Sequence, residues 1–303
     1  MGMYWITLLL PGGRVSAIVD SPMMKFSFWV FLCLSLYSHS AATHQGVAAQ
    51  LERINRAIEN NPQNQALLIQ RGALYSHDGQ YARAEQDFRQ AETLGAPVSV
   101  AYELGLLFYR SKEFARAQRY FDRSIKQFPQ HAAAYELRGR TAHRLGDNRQ
   151  ALADFSMFFK LQPQPNPGHY IFAAKLHEAN THVAKTDALK ATELTAAIDL
   201  LDKGMANIGL TPQLQRYAVT LELQRNRPQH AIIRLQSLEP LLNGSPSWKL
   251  EMAQLFLQTG QPARAKHLLS KAETEVAALK VTPARLELAE KIAQLNQALS
   301  RQP

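Results

Sequence analysis

Residues 72–91 read GALYSHDGQYARAEQDFRQA, 105–124 read GLLFYRSKEFARAQRYFDRS and 139–158 read GRTAHRLGDNRQALADFSMF. Laid over one another they keep one order of small and large residues. Gly72, Gly105 and Gly139 open the stretches, and Tyr75, Phe108 and Ala142 follow. Next come Ala84, Ala117 and Ala151, then Phe88, Phe121 and Phe155, and the stretches close on Ala91, Ser124 and Phe158. The glycines recur after 33 and then 34 residues. Apolar positions three and four apart on either side of His77-Asp78-Gly79 make each unit two helices joined by a tight turn. Small residues at Gly72 and Ala84 let those helices approach, and Phe88 is expected to fill the space between neighbouring units.

This period and order resemble the tetratricopeptide repeat, a two-helix unit that stacks into a solenoid. The resemblance implies an all-α, right-handed superhelical solenoid of antiparallel helix pairs, and it extends beyond the three clear units. Residues 43–64, with Val47, Leu51, Ile54 and Ala57 at helical spacing, form an N-terminal capping half-repeat. Six units fill residues 65–281, the fourth and fifth degenerate, and residues 282–303 form a C-terminal capping helix through Leu286, Leu288, Ile292 and Leu295. Such caps are needed because a terminal unit otherwise leaves an apolar face in water. In unit four, Asn166-Pro167 opens the first helix. About ten extra residues around Lys185, Thr186 and Asp187 make either a binding loop or a longer second helix.

Of 303 residues 46% are hydrophobic and 19% charged, enough to bury a continuous core and too few charges for a disordered chain. The formal net charge of +9 suits an anionic partner without naming one. Residues 1–42 read as a signal-peptide region. Lys25 precedes the apolar run Phe26 to Tyr37, and Ser40 and Ala42 flank a cleavage point. Met24 is then the natural start, and residues 1–22, broken at Pro11-Gly12-Gly13, an upstream extension. The protein is therefore expected to be periplasmic or otherwise exported, the alternative being a membrane anchor over residues 26–37. Cys33 is the one cysteine, so the chain has no internal disulfide.

No nucleophile elbow, phosphate-binding loop, dinucleotide fingerprint or paired-cysteine motif occurs, so neither an enzyme nor a cofactor is expected. His177-Glu178 with His182 comes nearest to a metal site, but a zinc helix needs its histidines four apart and these are five apart. His177 also takes a core position, so no metal is expected. The resemblance implies instead that the first helices line a concave groove that captures a protein or peptide. Its groove positions fall on Tyr102, Tyr109 and Arg110 in unit two. In unit three they are Glu136, Arg140, His143 and Arg144, and in unit four Lys175, with Ile69, Ala73, Ser76, His77, Leu106, Ile171 and Glu178 beside them. Arg140 and Arg144, one turn apart, suggest a clamp for a carboxylate or phosphate, although Glu136 is placed to pair with Arg140. The groove lacks the Lys and Asn set with which some relatives clamp chaperone C-termini, having Ile69, Ala73 and Leu106 there. An acidic partner matches the charge, and nucleic acid is not expected behind an export signal. The other reading is peripheral contact with an anionic membrane or polymer through the second-helix row Arg116, Arg119, Arg123 and Lys126. Oligomeric state is not legible in the sequence.

Overall fold

The computed structural model describes residues 5–10, 13–18, 46–95 and 100–300. The leader from Phe26 to Ala42 lies outside them. Two compact units divide the chain, Met1–Lys112 and Glu113–Pro303, and the division falls in the turn of the second repeat.

The first unit opens on a short hairpin within residues 1–22, ahead of the helical array. Strands β1 (Trp5–Leu10) and β2 (Gly13–Ile18) pair antiparallel, Trp5 opposite Ile18 and Leu10 opposite Gly13. The physical reason is local: Pro11-Gly12 breaks the chain between two short runs containing Ile, Val and Thr, residues that favour strands. Four helices follow: α1 over residues 46–60, α2 (Gln65–His77), α3 (Tyr81–Thr93) and α4 (Ala101–Arg110). Asn64 caps α2, its side chain accepting from the Leu67 N–H. Gly79, at φ +78°, makes the turn into α3.

The second unit is helical throughout its described residues. Its elements are α5 (Phe114–Gln127), α6 (Ala132–Arg144), α7 (Asn148–Leu161), α8 (Pro167–Thr181), α9 (Asp187–Ile208) and α10 (Pro212–Gln224). They continue as α11 (Pro228–Gln236), α12 (Glu239–Leu242), α13 (Pro246–Gln258), α14 (Pro262–Ala277) and α15 (Pro283–Ser300). Consecutive helices pack as pairs, α6 with α7, α8 with α9, α10 with α11 and α13 with α14. Pro240 accounts for the break of unit five's second helix into α11 and α12.

One position explains why even the degenerate units fold alike. Ala84, Ala117, Ala151, Ala197, Ala231 and Ala265, equivalent in the six units, are all completely buried. The large residue four on (Phe88, Phe121, Phe155, Leu201, Leu235 and Leu269) is buried in every unit too. That residue does more than the sequence suggests. A methyl group on Gly72 would meet the Phe88 ring at 2.8 Å, and one on Gly139 would meet the Phe155 ring at 3.0 Å. The phenylalanine therefore fills the gap left by the glycine of its own unit rather than only a space between units. Unit four adds a second close approach, since a methyl group on Gly204 of α9 would meet the Tyr170 ring of α8 at 2.8 Å.

Of the extra residues of unit four, Lys185 and Thr186 stay in the connection and those from Asp187 onward enter helix. α9 runs for 22 residues, and residues 187–192 at its start are exposed. At the C-terminus, Ile292 of α15 is completely buried and Leu288 and Leu295 pack against the same cluster, whereas Leu286 is 54% exposed. At the other end, Val47, Leu51, Ile54 and Ala57 of α1 are half-buried.

Candidate binding surface

In the first unit, Tyr102 and Tyr109 lie half-buried on α4, and Arg110 is exposed in its last turn, where a cation suits the helix dipole. Arg110 Nη1 donates to Ser76 Oγ at 3.2 Å, and the Tyr81 hydroxyl donates to the Arg110 carbonyl at 3.4 Å. Burial pushes the Glu103 carboxyl up, and Arg110 partly opposes that.

The other five anticipated residues sit on α6 and α8 of the second unit. Arg140 Nε donates to Glu136 Oε1 at 2.8 Å, the anticipated pairing one turn apart. The Arg140 guanidinium also lies 4.5 Å from the centre of the Phe172 ring. Arg144 instead covers Phe114, at 4.6 Å. The two arginines are thus held on different rings from α8 and α5, and the structure does not gather them into one fork. Glu136 receives a second partner, His169, at 3.3 Å. His169 Nδ1 accepts from the Asn166 N–H at 3.1 Å, so the ring's proton belongs on Nε2, facing Glu136. Burial lowers the pKa of His169 and Arg140 adds to this, while Glu136 pulls it back up. His143 Nδ1 meets Asn148 Oδ1 at 2.8 Å and presents its ring to the edge of Phe172, 5.5 Å between centres. Asn148 continues to Asn180 at 3.2 Å, tying the start of α7 to the end of α8.

Lys175 stands over the Tyr217 ring at 5.9 Å. The Tyr217 hydroxyl donates to Glu178, which also accepts from Gln224 at 2.6 Å, joining α8 to α10. Burial raises the Tyr217 pKa, and the bond to Glu178 raises it further. His177 is half-buried rather than packed in the core and pairs with Glu193 at 2.7 Å, while His182 is exposed beyond α8. On the second-helix side, Arg116 pairs with Glu113 at 2.8 Å, and Arg119, Arg123 and Lys126 are exposed.

Three part-buried arginine networks escaped the sequence reading. Arg71 of α2 grips both oxygens of Asp87 on α3, at 2.7 and 2.8 Å, and reaches back to Asn55 on α1 at 2.9 Å. Arg138 of α6 repeats this with Asp154 on α7, at 2.6 and 2.9 Å, and with Asp122 on α5 at 2.7 Å. In unit five the arginine moves to the second helix, where Arg234 binds Asp202 twice and Glu222 once. A signal was available in the first two: a carboxylate follows the arginine by sixteen residues, at matching positions of units one and three.

Tetratricopeptide-repeat family models match residues 54–86 and 102–164. The fold is similar to the C-terminal part of a repeat-containing protein from Cytophaga hutchinsonii (TM-score 0.59, 12% identity, covering 83% of this chain and 98% of that one). It is also similar to Pseudomonas aeruginosa pilF (TM-score 0.50, 15% identity, covering 75% and 96%). No curated protein matches the chain in sequence. With matched repeats at residues 54–86 and 102–164 and the same buried alanine in all six units, the chain is a tetratricopeptide-repeat protein.

Proposed function

We propose that this repeat protein, in general terms a protein-interaction scaffold, captures an acidic peptide or helix on its first-helix faces and does so without catalysis. The observation that carries the reading is the parking of three first-helix cations on aromatic rings: Arg140 on Phe172, Arg144 on Phe114 and Lys175 on Tyr217. A cation over a ring keeps its charge and loses freedom, so less entropy remains to be lost when a carboxylate arrives. In the first unit, Tyr102 and Tyr109 offer stiff contact area beside Arg110. Cross-linking capture from whole cells tests the idea. A partner taken by the wild type is expected to be lost from the Tyr109→Ala, Arg140→Ala double variant at unchanged helicity. If it stays bound, the first-helix face is not the binding surface.

The second reading, peripheral attachment to an anionic membrane or polymer, is favoured by the exposed Arg119, Arg123 and Lys126 on α5. Attachment that persists in molar salt would exclude it. No described helix is long and apolar enough to cross a membrane. The export reading rests on Lys25 and the apolar run after it, and N-terminal sequencing of the cellular protein is expected to find a chain starting at Thr43, directly after Ala42.

A further inference from the structure

The second helices of unit three and unit four, α7 and α9, border a cleft of about 460 Å³ that the first-helix reading does not use. Leu152, Phe159 and Leu200, all half-buried, make its walls largely apolar, Ser156 adds one exposed hydroxyl on the α7 side, and Ala173 of α8 and Ala196 of α9 leave it open. Lys160 and Lys203 are the last cleft-lining residues of their helices. Because α8 returns between them, α7 and α9 run the same way, so both ammonium groups belong to one end. Both lysines are exposed, and neither has a hydrogen-bond or ion-pair partner among the described residues.

An apolar trough with two unpaired cations at one end complements a molecule with one anionic head and one apolar tail. Size narrows the choice. From Leu152 to Lys160 the trough runs roughly 12 Å at the helical rise, the span of a medium-length acyl chain. A helix about 10 Å across occupies on the order of 420 Å³ per turn, so the cleft would hold scarcely more than one turn of a partner helix. Asp199 also lines the cleft, one turn before Lys203, and disfavours a second negative charge on the ligand. His177 reaches the floor but is already bound to Glu193. We infer that this cleft binds a medium-chain fatty acid, its tail along Leu152, Phe159 and Leu200 and its carboxylate between Lys160 and Lys203.

Calorimetric titration of the full chain with decanoate, and with decan-1-ol as the uncharged control, tests this. Decanoate should fill one saturable site and bind more tightly than the alcohol. The exposed pair Lys160→Gln, Lys203→Gln should weaken it about tenfold, the value of two exposed ion pairs. Ala196→Trp, which fills the trough, should abolish it. The proposal fails if the folded wild type takes up no decanoate, or if the alcohol binds equally well. It fails equally if a folded Ala196→Trp variant binds as the wild type does, or if an acidic amphipathic peptide is bound in this cleft and decanoate is not. Should Ala196→Trp not fold, the lysine pair decides, since both residues are exposed and their replacement leaves the core intact, and decanoate binding unchanged in that pair overturns the proposal.

Discussion

Gly72 shows how a single missing atom can set a unit's geometry. In an exposed helix interior, Gly→Ala gains about 1 kcal/mol. Here the new methyl would stand 2.8 Å from a Phe88 ring that is itself buried. Gly72→Ala is therefore expected to destabilise by about 1–3 kcal/mol in urea unfolding, and adding Phe88→Leu should recover part of the loss. Lys112 presents the reverse case. It holds φ +64° where the equivalent residues of units one and three are Gly79 and Gly146, so Lys112→Gly should raise stability by roughly 0.5 kcal/mol. His169 adds a pH term. Burial holds its folded pKa below the unfolded value, so the unfolded chain takes up the proton more readily. That contribution is complete above about pH 7 and declines as the pH falls below about 6.5. Melting temperatures of wild type and His169→Gln measured between those conditions and pH 5 should converge if this histidine is responsible.

At the scale of elements, the repeat pattern carried most of the information. The helix pairs, the turn at Gly79 and the cap at Asn166 follow from spacing and capping residues, because each is decided within a few neighbours along the chain. What spacing left open in unit four was decided by propensity. Asp187 to Glu193 contains Ala, Leu, Lys and Glu, good helix formers, and they lengthen α9 instead of forming a loop. Those first turns lack burial, so amide exchange should be much faster over residues 187–192 than over residues 197–204 of the same helix. The β1–β2 hairpin and the exposure of Leu286 were missed for a related reason. A search for helical periodicity passes over six-residue strands, and it does not show which apolar residues of α15 meet the cluster around Leu269 and which stay exposed. On the candidate surface, Glu136–Arg140 was legible because both lie on one helix. The rings under Arg140, Arg144 and Lys175 were not, because Phe172, Phe114 and Tyr217 come from other helices.

Over the whole molecule, the +9 charge makes any acidic partner's affinity fall as salt rises, a trend that titrations at two ionic strengths would expose. Stability in a stacked array is the sum of units and the interfaces between neighbours, and the arginine networks lie at those interfaces. Arg138→Ala leaves Asp154, with a side chain only 2% exposed, as a buried charge and should cost about 3 kcal/mol. Asp122→Ala removes a partner that is 52% exposed and should cost under about 1 kcal/mol. The asymmetry has a meaning beyond stability. Helices copied from one pattern are nearly interchangeable, and their alanines and phenylalanines would pack against a wrong neighbour, or one turn out of step, almost as well as against the right one. Arg71 and Arg138 cannot be satisfied that way, since each needs a carboxylate from the following helix and an acceptor from the preceding one at the same time. A misaligned stack would strand charge in its interior, so these side chains act as proofreaders of assembly, telling α2 and α6 which two helices each belongs between.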